Sequence, residues 1–173
     1  MRTEMDMLKN DIALSKLSGK YLTFTLQGES YGVEVLKVRE IIRHLNVTAM
    51  PQVPDYIRGV INLRGKIIPV MDLRLRFGFS NVPNDDHTCI VVAQVKLPDG
   101  KDMPMGMVVD GVEEVINLNA ADIEKTPDFG GQLATEYIRG MAKVKGVVKV
   151  LLDIDRVVGA TALQNIRSQI AIA

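Results

Sequence analysis

The side chains able to carry chemistry are few and scattered. His87 follows Asp85 and Asp86, a run whose donors suit a metal ion, yet nothing elsewhere in the chain completes a ligand set, and the run is read as a solvated loop. The other histidine, His44, stands apart in Ile42-Arg43-His44-Leu45. Cys89 is the single cysteine, so neither an internal disulfide nor a cysteine-based metal knuckle can form. Its place in Cys89-Ile90-Val91-Val92-Ala93 is that of a small buried hydrophobe. No nucleophile elbow, phosphate-binding loop or dinucleotide fingerprint occurs, and no carboxylate pair stands out as general acid and base. No catalytic residue, metal or cofactor is therefore expected. One cation has a legible position: Arg64 precedes the turn residue Gly65, which puts its guanidinium at a hairpin end where a partner can reach it.

The elements that hold these residues are mostly short strands. Leu22, Phe24 and Leu26 alternate with Tyr21, Thr23 and Thr25, the period of a half-buried strand. Gln27-Gly28-Glu29-Ser30 turns the chain, and Tyr31, Val33 and Val35 continue as the apolar face of a second strand, completing a hairpin. Gly59 and Gly65 bracket Val60–Arg64, and Lys66–Met71 follows as a further strand. The runs Cys89–Val95, Met105–Val109 and Val147–Leu152 are continuously apolar and predict strands covered on both faces, with Pro98-Asp99-Gly100 as a turn. Helices are sparse: a turn at Pro54–Ile57, a start at Asp155–Val158 and a terminal helix over Ala160–Ile172. Residues 1–19 are a tail or a short helix.

An internal repeat organises these strands. Tyr56-Ile57-Arg58-Gly59 recurs as Tyr137-Ile138-Arg139-Gly140, and the same offset of 81 carries Gly65 onto Gly146, Asp72 onto Asp153 and Gly78 onto Gly159. Upstream, Gly32, Val38, Glu40 and Ile42 fall on Gly106, Val112, Glu114 and Ile116 at an offset of 74. The chain thus reads as two related β subdomains, residues 20–85 and 86–159, followed by the 160–173 helix. At this size, closed or nearly closed barrels remove exposed strand edges, and a groove between two of them is a place for a partner.

The segments Tyr21–Leu26, Tyr31–Ile41 and Gly59–Arg74 closely resemble the CheW family, and Val108–Val112 and Thr135–Gly140 look like its second-half motifs, so the resemblance spans about residues 20–160. It implies a mainly β fold of two intertwined SH3-like five-stranded barrels. It also implies a non-enzymatic adaptor that couples the cytoplasmic tips of chemoreceptors to the regulatory domain of the histidine kinase CheA. Ring neighbours in the receptor array are implied as further partners. Carried over by position, the receptor-facing groove includes Val38, Glu40, Gly59, Arg64, Gly106, Val112 and Gly140. The kinase contact uses Leu22 and Val35 on the first barrel, and Phe129 on the second touches neighbouring subunits. Glu124 stands where relatives often carry a basic residue. Across the implied groove, Glu40 and Arg64 are placed to pair, which would orient the guanidinium. The chain is too short to hold the kinase's own ATP-binding, dimerisation and phosphotransfer domains.

Composition agrees with protein partners. Lys plus Arg equals Asp plus Glu at 21 each, without the basic excess of a nucleic-acid binder. No apolar run reaches the ~18 residues of a membrane helix and no secretory leader is legible, so a cytoplasmic protein recruited to membrane arrays is expected. Three rivals stay open: a coupling protein for another kinase pathway, a β-barrel enzyme with a deep polar pocket, and an SH3-like nucleic-acid module with salt-sensitive binding.

Overall fold

The structure is a computed structural model that describes residues 4–5, 16–43, 46–80, 82–125 and 135–159. Among the described residues eleven strands form two sheets. They are β1 (Gly19–Leu26), β2 (Glu29–Glu34), β3 (Val38–Ile42), β4 (Ile57–Leu63), β5 (Lys66–Asp72), β6 (Cys89–Lys96), β7 (Asp102–Val109), β8 (Gly111–Leu118), β9 (Ile123–Glu124), β10 (Ile138–Val144) and β11 (Val147–Leu152). Two short helices, α1 (Leu73–Arg76) and α2 (Ile154–Val158), follow β5 and β11, and each starts on an aspartate: the Asp72 carboxylate accepts Arg74 N–H, and that of Asp153 accepts Asp155 and Arg156 N–H. The fold is mainly β, as expected, with a sixth, two-residue strand, β9, added to one sheet.

One sheet has the order β8-β1-β2-β11-β10-β9 and the other β3-β6-β7-β5-β4. Each therefore combines strands from both sequence halves. The hairpin β1–β2 opens the first half but pairs with β8 and, in parallel, with β11. The hairpin β6–β7 opens the second half but pairs with β3 and, in parallel, with β5. This reciprocal exchange intertwines the two units, called here the β3–β7 unit and the β1–β11 unit.

The repeat is exact in register. The parallel pair Val70↔Gly106 in one sheet maps onto Leu151↔Gly32 in the other by the two sequence offsets. Bulges fall at matching places, between Ile57 and Gly59 and between Ile138 and Gly140, and the bulged residues are Arg58 and Arg139. The β4–β5 and β10–β11 turns also match. Arg64 (φ 50) and Gly65 (φ 84) correspond to Lys145 (φ 52) and Gly146 (φ 80), the positive-φ pairs of tight hairpin turns.

Three apolar clusters explain the strand patterns. Ile61, Ile68, Val70, Ile90, Val92 and Val108 fill the inside of the β3–β7 unit. Tyr21, Leu118, Ile123, Ala142 and Leu151 fill the inside of the other. The largest cluster draws on both sheets, with Leu22, Phe24 and Leu26 meeting Val91, Ala93, Met105 and Met107. Alternate residues of β6 and β7 thus face a unit interior and the junction between units, which is why those runs are apolar on both faces. The same geometry corrects two expectations. Tyr21 and Thr23, expected on the open face of β1, are buried because that face looks into the unit interior. Val147 and Val148, expected to be covered, are about half exposed at the hairpin end.

Smaller differences concern the connections. Val35 lies in a 3-10 turn (Val35–Lys37) rather than in β2, and Pro54–Ile57 is a turn closed by Ile57 N–H donating to the Pro54 carbonyl at 3.0 Å. Helix α1 was not anticipated, because Leu73 reads as the end of a strand. The terminal helix expected over 160–173 lies outside the described residues, as does most of the 1–19 segment.

Candidate interaction sites

Glu40, Gly106 and Gly59 lie on one row across the whole β3–β7 sheet. Glu40 is opposite Val92, Val92 opposite Gly106, Gly106 beside Val70, and Val70 opposite Gly59. The outer strands of this sheet, β3 and β4, are brought together by Arg64. From the β4–β5 turn its guanidinium donates to both carboxylate oxygens of Glu40, at 2.8 and 2.6 Å. Such a fork-on-carboxylate contact fixes orientation as well as charge. Arg64 is 72% exposed, so a partner can reach it, and the pair closes the unit across its open side. Hydrogen bonds from Arg64 hold the Glu40 carboxyl below its ordinary range.

Gly59 is required by a close approach. The chain at Thr48 bridges to Val60, with N–H···O bonds of 2.8 and 2.9 Å, and a Cβ on Gly59 would overlap the Thr48 carbonyl. Gly106 sits between Ile90 and Val70, which leave a Cβ only 2.9 and 3.3 Å. Gly140, the repeat partner of Gly59, has β9 across it, with Glu124 O 3.1 Å from a Cβ.

The anticipated receptor-facing residues therefore divide. Val38, Glu40, Gly59, Arg64 and Gly106 belong to the β3–β7 unit, whereas Val112 and Gly140 belong to the other. Val38 and Val112, repeat partners, both stand half-buried against the junction cluster. Of the anticipated kinase-facing residues, Leu22 is buried in the junction and Val35 is half-buried against it. The exposed apolar group at this place is their neighbour Leu36, 88% exposed. It borders a hollow of about 260 Å³ lined by Gly19, Lys20, Tyr21, Glu34 and Val35. Leu36 was missed because strand alternation assigns it an ordinary outward position, whereas the 3-10 turn projects it. Phe129 lies outside the described residues, as does His44.

A buried ionic cluster also escaped the sequence. Arg74, fully buried, donates from Nε and Nη2 to the two oxygens of Asp72, both at 2.9 Å, and from Nη1 to Asp110 at 3.0 Å. Pro83 O and Asn84 Oδ1 accept its remaining donors, and the bulged Arg58 adds a bond to Asp72 at 3.1 Å. Burial acts to raise the Asp72 carboxyl, but the bonds from Arg74 and Arg58 outweigh it and hold the group below its ordinary 3.8. With its donors matched, this cluster ties β5, the loop before β6 and the end of β7 together.

The Asp85 carboxylate accepts the His87 and Thr88 N–H groups and shapes the turn into β6. Among the described residues no cluster of metal-ligating side chains is present, and no helix is long and apolar enough to cross a membrane. Cys89 is buried in the junction, and burial pushes its thiol up.

Residues 20–162 match the family model described as a CheW-like domain. The chain is 40% identical over 152 residues to the chemotaxis protein CheW of Klebsiella aerogenes, covering 85% of this chain and 89% of the relative. It is 30% identical over 151 residues to CheW of Bacillus subtilis, covering 87% and 93%. The crystal structure of the scaffolding protein TtCheW from Thermoanaerobacter tengcongensis superposes with a TM-score of 0.72 at 30% identity, covering 84% of this chain and 95% of that one.

Proposed function

The chain belongs to the CheW-like family, and from that premise we propose that it is a non-enzymatic scaffold of bacterial chemotaxis, coupling chemoreceptors to the histidine kinase CheA. The observation that carries this reading is a family match running through both intertwined units. In the reading, the Arg64–Glu40 pair with Val38, Gly59 and Gly106 forms the core of the receptor surface, and Val112 and Gly140 extend it onto the second unit. A receptor's helical hairpin would lay an amphipathic face there, with the guanidinium setting its register. The apolar knob Leu36, with Val35 behind it, serves the kinase regulatory domain, and Phe129 serves ring neighbours. The protein acts in the cytoplasm and is recruited to membrane arrays, where repetition raises the avidity of individually weak contacts.

The test is calorimetric titration of the protein with the regulatory domain of the organism's CheA. Micromolar or tighter binding, abolished by Leu36→Glu and preserved by Arg64→Ala, is the expected result. Receptor-fragment binding should show the opposite dependence. Absence of binding to every CheA regulatory domain of the organism would overturn the coupling role.

A further inference from the structure

The pseudo-two-fold relation between the units runs past a single side chain. Tyr56 and Tyr137 are repeat partners, and the Arg76 guanidinium lies over both rings, 4.9 and 5.0 Å from their centroids. Arg76 Nη2 donates to the Tyr137 hydroxyl at 2.9 Å, and Nε donates to the carbonyl of Val157 at 2.8 Å. Val157 is the residue that the offset of 81 assigns to Arg76 itself. A residue in contact with its own repeat partner lies beside the axis, where one bulky side chain fits and a second cation would be repelled. That accounts for valine in the second copy.

Each tyrosine is fixed to its own sheet. The Tyr56 carbonyl accepts Asp72 N–H at 2.7 Å, and the Tyr137 carbonyl accepts Asp153 N–H at 2.8 Å. The position of one ring relative to the other therefore reports how the two units are set. A cavity of about 510 Å³, half open, is lined by Tyr31, Phe77, Phe79, Tyr137 and Val150. Phe77 bridges it, 6.0 Å from Tyr31 and 6.1 Å from Tyr137 between ring centroids. The centre of the junction is packed with buried side chains such as Phe24, Leu26, Val91 and Met107, and such packing resists small displacements. At this end the rings have room to move.

We propose that Arg76 is the positioning residue that sets the angle between the two units, a latch on the pseudo-two-fold axis, with the adjacent cavity as the space into which Phe77 and Tyr137 move when it is released. A change at a surface of one unit then reaches the other through the two tyrosines. The latch is a property of the free protein and requires nothing of the adaptor reading.

The experiment uses the full chain carrying Cys89→Ala, with spin labels on Lys66→Cys and Lys145→Cys, exposed positions on the two units. Distances are read by double electron–electron resonance. A second pair, Lys66→Cys with Asp102→Cys, lies within one sheet. With Arg76 present the inter-unit distribution is expected to be single and narrow. Arg76→Met, which keeps the stem and removes the cation and its donors, should broaden or split it and leave the within-sheet pair unchanged. Arg76→Lys, which keeps a cation but loses the planar fork, should fall between. An inter-unit distribution equal to the parent's in a folded Arg76→Met protein overturns the latch, as does equal broadening of both label pairs. If Arg76→Met does not fold, Arg76→Lys decides by the same two criteria.

Discussion

The two units share a backbone plan and differ in how they are fastened. Both have the same parallel pairing, the same bulges and the same positive-φ turns. Yet the first turn carries Arg64, forked onto Glu40, where the second carries Lys145, and the nearest second-half ion pair, Lys143 to Glu124, is a 3.5 Å contact between exposed groups. The aspartate that starts α1 is buried and doubly paired with arginine, whereas its counterpart Asp153 is 28% exposed and reaches Arg156 at 3.7 Å. The bias is not uniform, because the second unit has its own buried polar set. Lys149 donates to Ser30 at 2.9 Å, and Ser30 in turn bonds to Glu113, where the first unit has Ile68, Pro104 and Arg39. A duplicated fold thus keeps the backbone signals in both copies and lets each copy's side chains diverge. That divergence gives one molecule two unlike surfaces.

The comparison can be broken most severely at the buried cluster. Arg74→Met removes the fork on buried Asp72, leaving it only Arg58, together with the single bond to Asp110, and should cost about 3–5 kcal/mol in urea unfolding. Next come the paired glycines. Gly59→Ala must displace the Thr48 backbone and should cost about 1–3 kcal/mol or more, whereas Gly140→Ala, with only a tight contact to Glu124 O, should cost clearly less. Equal losses from the two would sink the claim that the copies are packed differently at this point. Asp153→Ala removes the cap of α2 and should cost about 1 kcal/mol. Arg64→Ala, at an exposed pair, should leave the urea midpoint nearly unchanged, so a clear loss of receptor binding would separate recognition from folding.

Acid sharpens the same contrast. The Asp72 carboxyl is depressed in the folded protein, so its contribution is complete above its unfolded value near 3.8 and is lost as pH falls through the lower folded value. Urea midpoints measured downward from neutral pH should decline more steeply below about pH 4 for the native protein than for Asp72→Asn. Parallel curves would show that the cluster adds nothing through ionisation.

Much of this was legible in the chain. The hairpin turns announce themselves by their glycines, and the spacing of repeated glycines and aspartates located both copies of the β-turn-β unit, though not the helix that follows the first. The reachable Arg64 followed from its turn. Leu22 and Leu36 were not separable, because alternation along a strand does not reveal that a 3-10 turn interrupts it at Val35.

The sequence by itself determined most of the strands, several of the turns and the duplication, but not β3, β8 or β9, since what it shows depends on signals only a few residues long or on a match along the chain. Tertiary structure decided which hairpin enters which sheet, because β1–β2 carries no local mark that its parallel partner is β11 and not β5. It also decided that Arg74 meets Asp110 and that Arg76 meets Tyr56 and Tyr137, since residues so distant in sequence are joined only when the exchange of hairpins folds the two units around one shared junction.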